Sequence, residues 1–273
     1  MSTQAEKGRL FRALHTGERA FIIPNPWDAG TARLLATVGF RALATTSAGF
    51  AFSLGKKDGT IGREETMAHA RAIVAATDLP VSADLENGFG DPPETVAETF
   101  RLAAETGLVG GSVEDVSGRA DSPLYEIDRA AERVRGAAEV VRNLPFPFVL
   151  TARAENYLVG RPDLKDTIAR LQAYQEAGAD VLYAPGLKTK EEIASVVSAV
   201  DRPVNVVMGL QGVSLSLAEL SAIGVKRVSL GSTLSRTALG AFLRAAREMA
   251  EEGTFTFAEE AVGYKELNEV FRG

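Results

Sequence analysis

Val81-Ser82-Ala83-Asp84-Leu85-Glu86-Asn87-Gly88-Phe89-Gly90, then a helical pattern over Pro93–Thr106, a glycine at 107 and a second apolar run over Gly111–Val116, is the stretch that decides the fold. The run Val81–Leu85 is apolar without strict alternation, as befits a strand covered on both faces. Such strands pair in parallel, and parallel pairing needs a long crossover, which the helix supplies. Gly107 lets the chain leave that helix through a left-handed conformation. Strand, helix and strand make one β/α unit.

The same alternation runs outward to both ends. Strands are expected over Ala20–Pro24, Ala42–Thr46, Val81–Leu85, Gly111–Val116, Phe146–Ala152, Val181–Ala184, Val204–Met208 and Arg227–Leu230. Helices are expected over Gly30–Val38, Arg63–Thr77, Pro93–Thr106, Tyr125–Arg142, Leu164–Ala177, Lys190–Val200, Leu215–Ile223 and Leu234–Glu251. Eight such units favour a closed (β/α)8 barrel of the TIM type, with an open doubly wound sheet as the alternative. Gly8–Leu14 and Ala258–Phe271 fall outside the units and read as amphipathic helices that cap the barrel or mediate assembly. No linker or low-complexity tract divides the chain, so residues 1–273 are expected to form one domain.

The length of 273 residues is close to the ~250 usual for such a barrel. A net charge of −6, with no basic run longer than Lys56-Lys57, argues against nucleic acid as a partner. With no cysteine, thiol nucleophiles, Cys-ligated zinc and Fe–S clusters are excluded. Residues 2–7 are polar and no apolar run approaches the ~20 residues of a membrane span, so a cytoplasmic protein without membrane partners is expected.

In a barrel of this kind chemistry sits at the carboxyl ends of the strands. The third strand ends in Asp84 and Glu86, which share a side by period-two alternation. Glu114, at the end of the fourth strand, lies at the matching level. Acids so gathered repel one another unless a cation holds them, and hard oxygen donors with retained water suit Mg²⁺. The plainer alternative is that they cap helices or pair with Arg153. Arg153, at the end of the fifth strand, can grip a carboxylate through two parallel hydrogen bonds. Ser47-Ala48-Gly49 offers small side chains and free N–H groups after the second strand.

Other chemistries find less support. No Lys stands at a strand end, since Lys226 opens the eighth strand, so a Schiff-base aldolase is not indicated. His15 and His69 fall in helical patterns and read as surface or packing residues. Gly231-Ser232-Thr233 reads first as a helix start and only second as a phosphate site.

These residues resemble the isocitrate lyase/phosphoenolpyruvate mutase superfamily, over about Phe21 to Leu239. Residues 82–90 are similar to its Asp-x-Asp followed by Gly-aromatic-Gly, Val113-Glu114-Asp115 to its Glu-Asp pair, and Ser47-Ala48-Gly49 to its Ser-Gly turn. Asp58, Thr151-Ala152-Arg153 and Gly178-Ala179-Asp180 match in order. The resemblance implies a barrel that uses Mg²⁺ (or Mn²⁺ in its place), held directly by Asp84 and largely through water by Glu86, Glu114 and Asp58. It implies catalytic roles for Arg153, Glu114 and Asp58, and a substrate-facing set of Thr46, Ser47, Ala48, Gly49, Asp84, Arg153 and Asn205. It also implies homodimers or homotetramers that exchange the helix after the eighth strand, here Leu234–Glu251. The activity implied is that of a lyase or decarboxylase on a small 2-oxo or 2-hydroxy di- or tricarboxylic acid, through an enolate. A phosphonopyruvate-type mutase or hydrolase, and a non-catalytic 2-oxo acid binding protein, are the alternatives.

The departures from the pattern are specific. The lyases' Lys-Lys/Arg-Cys-Gly-His segment, with its Cys proton donor, is replaced by Ser117–Tyr125, a candidate lid. Pro185 stands where the lyases carry Glu, and Glu86 replaces the more usual Asp. Tyr183, Ser122 and a water held by Glu86 are the open choices for proton donor.

Overall fold

A computed structural model describes residues 2–272. Its strands are β1 (Phe21–Ile23), β2 (Leu43–Ala44), β3 (Val81–Asp84), β4 (Gly110–Glu114), β5 (Val149–Arg153), β6 (Val181–Tyr183), β7 (Val204–Val207) and β8 (Arg227–Ser229). All pair in parallel, each with its successor from β2 to β8, and β8 returns to β1. At the remaining seam the Ala44 N–H donates to the Pro24 carbonyl at 3.0 Å. Asn25 ties the same seam to β8: its Nδ2 donates to Thr45 O, and its Oδ1 accepts from the N–H groups of Leu230 and Gly231. The sheet is thus a nearly closed barrel of the (β/α)8 type.

The helices are α1 (Gln4–His15), α2 (Ala29–Thr37), α3 (Ser47–Ser53), α4 (Arg63–Ala75), α5 (Pro93–Glu105), α6 (Ile127–Arg142), α7 (Leu164–Ala177), α8 (Lys190–Ser198), α9 (Leu217–Ala222), α10 (Thr233–Glu251) and α11 (Tyr264–Val270). Gly107, Gly178 and Gly224, read as helix exits, all take positive φ. α3 was not foreseen: Ser47-Ala48-Gly49, expected as a turn, is its first part. A short apolar segment of small and aromatic residues carries too little periodicity to be told from a loop. The expected Ala258–Phe271 helix is divided into a 3-10 turn, Thr256–Glu260, and α11. Gly263 stands between them and caps α11.

Most of the core lies between sheet and helices, where Leu85, Phe100, Phe148, Leu150 and Leu171 are buried. A second cluster fills the amino-terminal end of the barrel. There α1 inserts Phe11 and Leu14 against Phe21, Ile23, Val149 and Val181. Both histidines pack inside. His15 meets the edges of Phe11 and Phe21, and His69 stacks on Phe50 at 3.8 Å while its Nε2 contacts the Trp27 carbonyl.

Among the described residues no helix is long and apolar enough to cross a membrane. Little of α10 is covered: Leu239, Phe242, Leu243 and Met249 are exposed, and only Ser235 is buried.

Candidate active site

The last residues of β3, β4 and β5 meet at one level, since β-ladder pairing sets Glu114 beside Arg153 and Asp84 beside Ser112. Arg153 lies at the centre. Its Nη1 donates to Asp84 Oδ1 at 2.9 Å, its Nη2 lies 3.2 Å from Glu114 Oε2, and its Nε donates to Glu155 Oε1 at 2.8 Å. Only a guanidinium could serve three acids from one side chain in this way. The other Asp84 oxygen accepts from the Ser47 hydroxyl at 2.9 Å, and the Asp84 N–H donates to Thr45 Oγ1. So α3 and β3 are joined through the very residue expected to hold the metal.

Glu86 stands apart from this cluster. It follows β3 with φ 49°, and Phe89 with φ 61° is the other non-glycine residue in the left-handed region among the described residues. A bulky residue there is strained unless its surroundings hold it. Arg133 of α6 does so, with guanidinium bonds to the carbonyls of Asn87, Gly90, Asp91 and Glu114. Glu86 Oε1 is the one buried side-chain oxygen or nitrogen without a hydrogen-bond partner among the described residues. Burial, then the charges of Asp84 and Asp58, push its carboxyl up to about 7. Burial likewise raises Glu114 well above the usual carboxylate range, against the pull of Arg153.

Asp58 lies on an exposed loop between α3 and α4, near enough to Glu86 to raise it, and its Oδ1 accepts from the Gly59 N–H. Thr46 caps α3 through Gly49 N, and Ser47 and Ala48 open the helix. At Gly49 a Cβ would stand 2.6 Å from Thr46 Cγ2 and 3.1 Å from Trp27 Cβ, so glycine lets α3 close on its neighbours. Asn205 is buried in β7, with Oδ1 accepting from Arg227 Nε and Nδ2 donating to Ser229 Oγ.

Between these groups lies a cavity of about 90 Å³, lined among others by Thr46, Asp84, Arg153, Tyr183, Asn205 and Arg227. That is room for about three waters or one very small acid. A larger groove of about 800 Å³ on the outer face between α5 and α6 is lined by ion-paired side chains and holds none of these groups.

Asp84 and Glu114 gather around Arg153, the plainer alternative that the sequence offers for these acids. Among the described residues no three acids or histidines stand close enough to cage an ion. The donor set still suits a hard cation. All its atoms are carboxylate oxygens, one of them is unpartnered, and Mg²⁺ takes only one or two protein carboxylates with water in its other positions.

Glu155, 4% exposed at its side chain, orients Arg153 from two residues beyond it, a place in the sequence that marks it as a candidate partner. Sequence reading missed two further supports of this site, Arg133 and Arg227, which are both buried. Nothing in a helical Arg133, or in an Arg opening β8, distinguishes it from a surface residue.

Residues 11–250 match the family model of phosphoenolpyruvate phosphomutase. A crystal structure from Burkholderia cenocepacia J2315, described as a lyase/mutase, superposes with a TM-score of 0.97 at 64% identity, covering 99% of this chain and 97% of that one. The 2-methylisocitrate lyase of Halalkalibacterium halodurans is 28% identical over 92% of this chain and 85% of its own length. A phosphonopyruvate hydrolase in complex with oxalate and Mg²⁺ shares the fold, with a TM-score of 0.86 at 23% identity over 97% of this chain and 94% of that one. With its barrel, its strand-end acids and these likenesses together, the chain belongs to the phosphoenolpyruvate phosphomutase family and is a carbon–carbon lyase-like enzyme of the isocitrate lyase/phosphoenolpyruvate mutase superfamily.

Proposed function

We propose that this enzyme is a Mg²⁺-dependent lyase or decarboxylase that binds a small 2-oxo or 2-hydroxy di- or tricarboxylic acid at the barrel mouth and proceeds through an enolate. The observation that carries the reading is the ion pair of Arg153 and Asp84 on the wall of one small polar cavity, with the buried, unpartnered Glu86 oxygen two residues beyond Asp84. Asp84 would hold the metal directly, with Glu86, Glu114 and Asp58 holding its waters; Mn²⁺ could replace it. When bound, the ion supplies a Lewis acid for the charge that develops on the oxo-acid oxygens.

The protein's own groups do the rest. Arg153 offers its fork to a substrate carboxylate, and Glu155 fixes its plane. Thr46, Ser47, Ala48, Gly49 and Asn205 face the same substrate from the other walls. Ser117–Tyr125 forms the lid. Its base is set by hydrogen bonds from Ser117 N to Pro123 O and Tyr125 N to Asp115 O. Closing over the site would keep water from an enolate.

Calorimetry with Mg²⁺ and oxalate tests the site. Binding should require the metal and should vanish in Asp84→Ala, with the far-ultraviolet circular dichroism unchanged. Equal affinity in that variant would defeat the metal assignment. Product analysis by NMR over 2-hydroxy di- and tricarboxylates, oxaloacetate and phosphonopyruvate then identifies the bond broken. Phosphate release from phosphonopyruvate alone would replace the carbon–carbon reading.

A further inference from the structure

We propose that the floor of the barrel cavity is a binding site for one small monoanion, a carboxylate group or a halide, held by the buried guanidinium of Arg227. The site needs no metal and lies apart from the acids that would hold one. β-ladder register sets Arg153, Tyr183, Asn205 and Arg227 side by side from β5 to β8, and all four line the one cavity. Strands of a barrel are staggered, so Arg227, which opens β8, lies deeper than Arg153, which ends β5. Its Nη2 donates to Thr151 Oγ1, two residues below Arg153, at 2.9 Å.

The two cations differ in their company. Arg153, at the mouth, is shared by Asp84, Glu114 and Glu155. Arg227 pairs with no carboxylate among the described residues. Besides Thr151, its Nε donates to Asn205 Oδ1 at 2.9 Å, and its Nη1 lies 3.3 Å from His15 Nε2. His15 brings no charge, because burial, then the guanidinium itself, lowers the ring to about 3. A guanidinium carries five N–H bonds. Three of them meet these neutral partners, which leaves two for a ligand. Burial lowers Arg227 to about 10, so it stays charged at neutral pH. A buried cation without a counter-charge is costly, and an anion beside it removes the cost.

The rest of the cavity suits that anion. Asp84, the acid on its wall, turns Oδ1 to Arg153 and Oδ2 to the Ser47 hydroxyl. The hydroxyls of Ser82 and Ser112 also line the cavity and make no hydrogen bond among the described residues, so each can donate into it. A volume of about 90 Å³ admits a halide or formate and excludes a carboxylate as large as benzoate.

Thermal melting in chloride-free buffer with chelator tests the site without metal. Sodium formate should raise the melting temperature saturably in the wild type, whereas benzoate at equal ionic strength should not. Arg227→Met should weaken formate at least about tenfold, as loss of a charged donor does. Crystals of the wild type grown in sodium bromide give a second reading that no variant can spoil: anomalous scattering should place one ion against the Arg227 guanidinium. Formate that displaces this ion identifies a carboxylate subsite, and bromide that stays identifies a halide site; either supports a small-anion floor. A wild type with no saturable formate shift and no bromide at Arg227 would overturn the proposal, as would undiminished binding in Arg227→Met. Loss of Mg²⁺-dependent oxalate binding with the formate or bromide result intact would count against the metal site alone.

Discussion

Glu86 and Arg153 show how single residues here depend on surroundings that the local sequence does not contain. Glu86 titrates about 7 in the folded chain against 4.5 ordinarily, because it is buried beside Asp84 and Asp58. A folded-state value above the unfolded one means that the proton favours the folded form. Without metal, this group's contribution is fully present below pH 4.5 and is lost as pH rises through about 7. Thermal melting with chelator should therefore show a fall in stability across that window, and Glu86→Gln should flatten it. An equal fall in both proteins would assign the effect elsewhere. Arg153→Lys keeps the charge and loses the fork that spans Asp84, Glu114 and Glu155. It should weaken Mg²⁺-dependent oxalate binding at least about tenfold, as loss of a charge-assisted bidentate contact does. Asp84, Glu114 and Arg153 could be found in the sequence because each ends an apolar run.

Among the elements, α1 and α3 contribute most beyond the β/α repeat. α1 closes the barrel floor with Phe11, which is fully buried, and sends His15 up to Arg227. Phe11→Ala should cost about 3–5 kcal/mol in urea unfolding, the usual price of a buried aromatic truncated to Ala. Oxalate binding in the surviving folded protein should change little, because the plug lies at the opposite end from Asp84. α3 was hidden in the sequence by its seven residues of small and aromatic type, yet it carries Ser47 to Asp84. Gly49→Val should fold poorly or lose oxalate binding, since the space around that Cα is already taken by Thr46 and Trp27.

At the scale of the molecule, α10 presents Leu239, Phe242, Leu243 and Met249 on its exposed surface, and Phe255, Val262 and Tyr264 continue the apolar display beyond it. Exposed apolar residues in such number on one helix and the tail after it are what a partner surface would cover. The expectation of a dimer or tetramer built through this helix is tested by sedimentation: a mass of two or four chains is expected. Phe242→Glu should shift it toward one chain of 29.0 kDa. A wild type that sediments as a single chain would end the expectation.

What the amino-acid sequence determined by itself was the repeat: apolar runs covered on both faces, helices between them and glycines at the helix exits leave a parallel barrel as the simplest closure. It also determined which acids and which arginine stand at strand ends, because strand polarity assigns those ends to the mouth. Only the tertiary structure decided that Asp84 and Glu114 share Arg153, that Arg133 holds the strained turn at Glu86, and that Arg227 reaches Asn205 and Thr151 inside the barrel. The reason is one of range. Backbone pattern is local and repeats every few residues, whereas a buried charge is satisfied by whichever polar atoms the closed barrel brings to it.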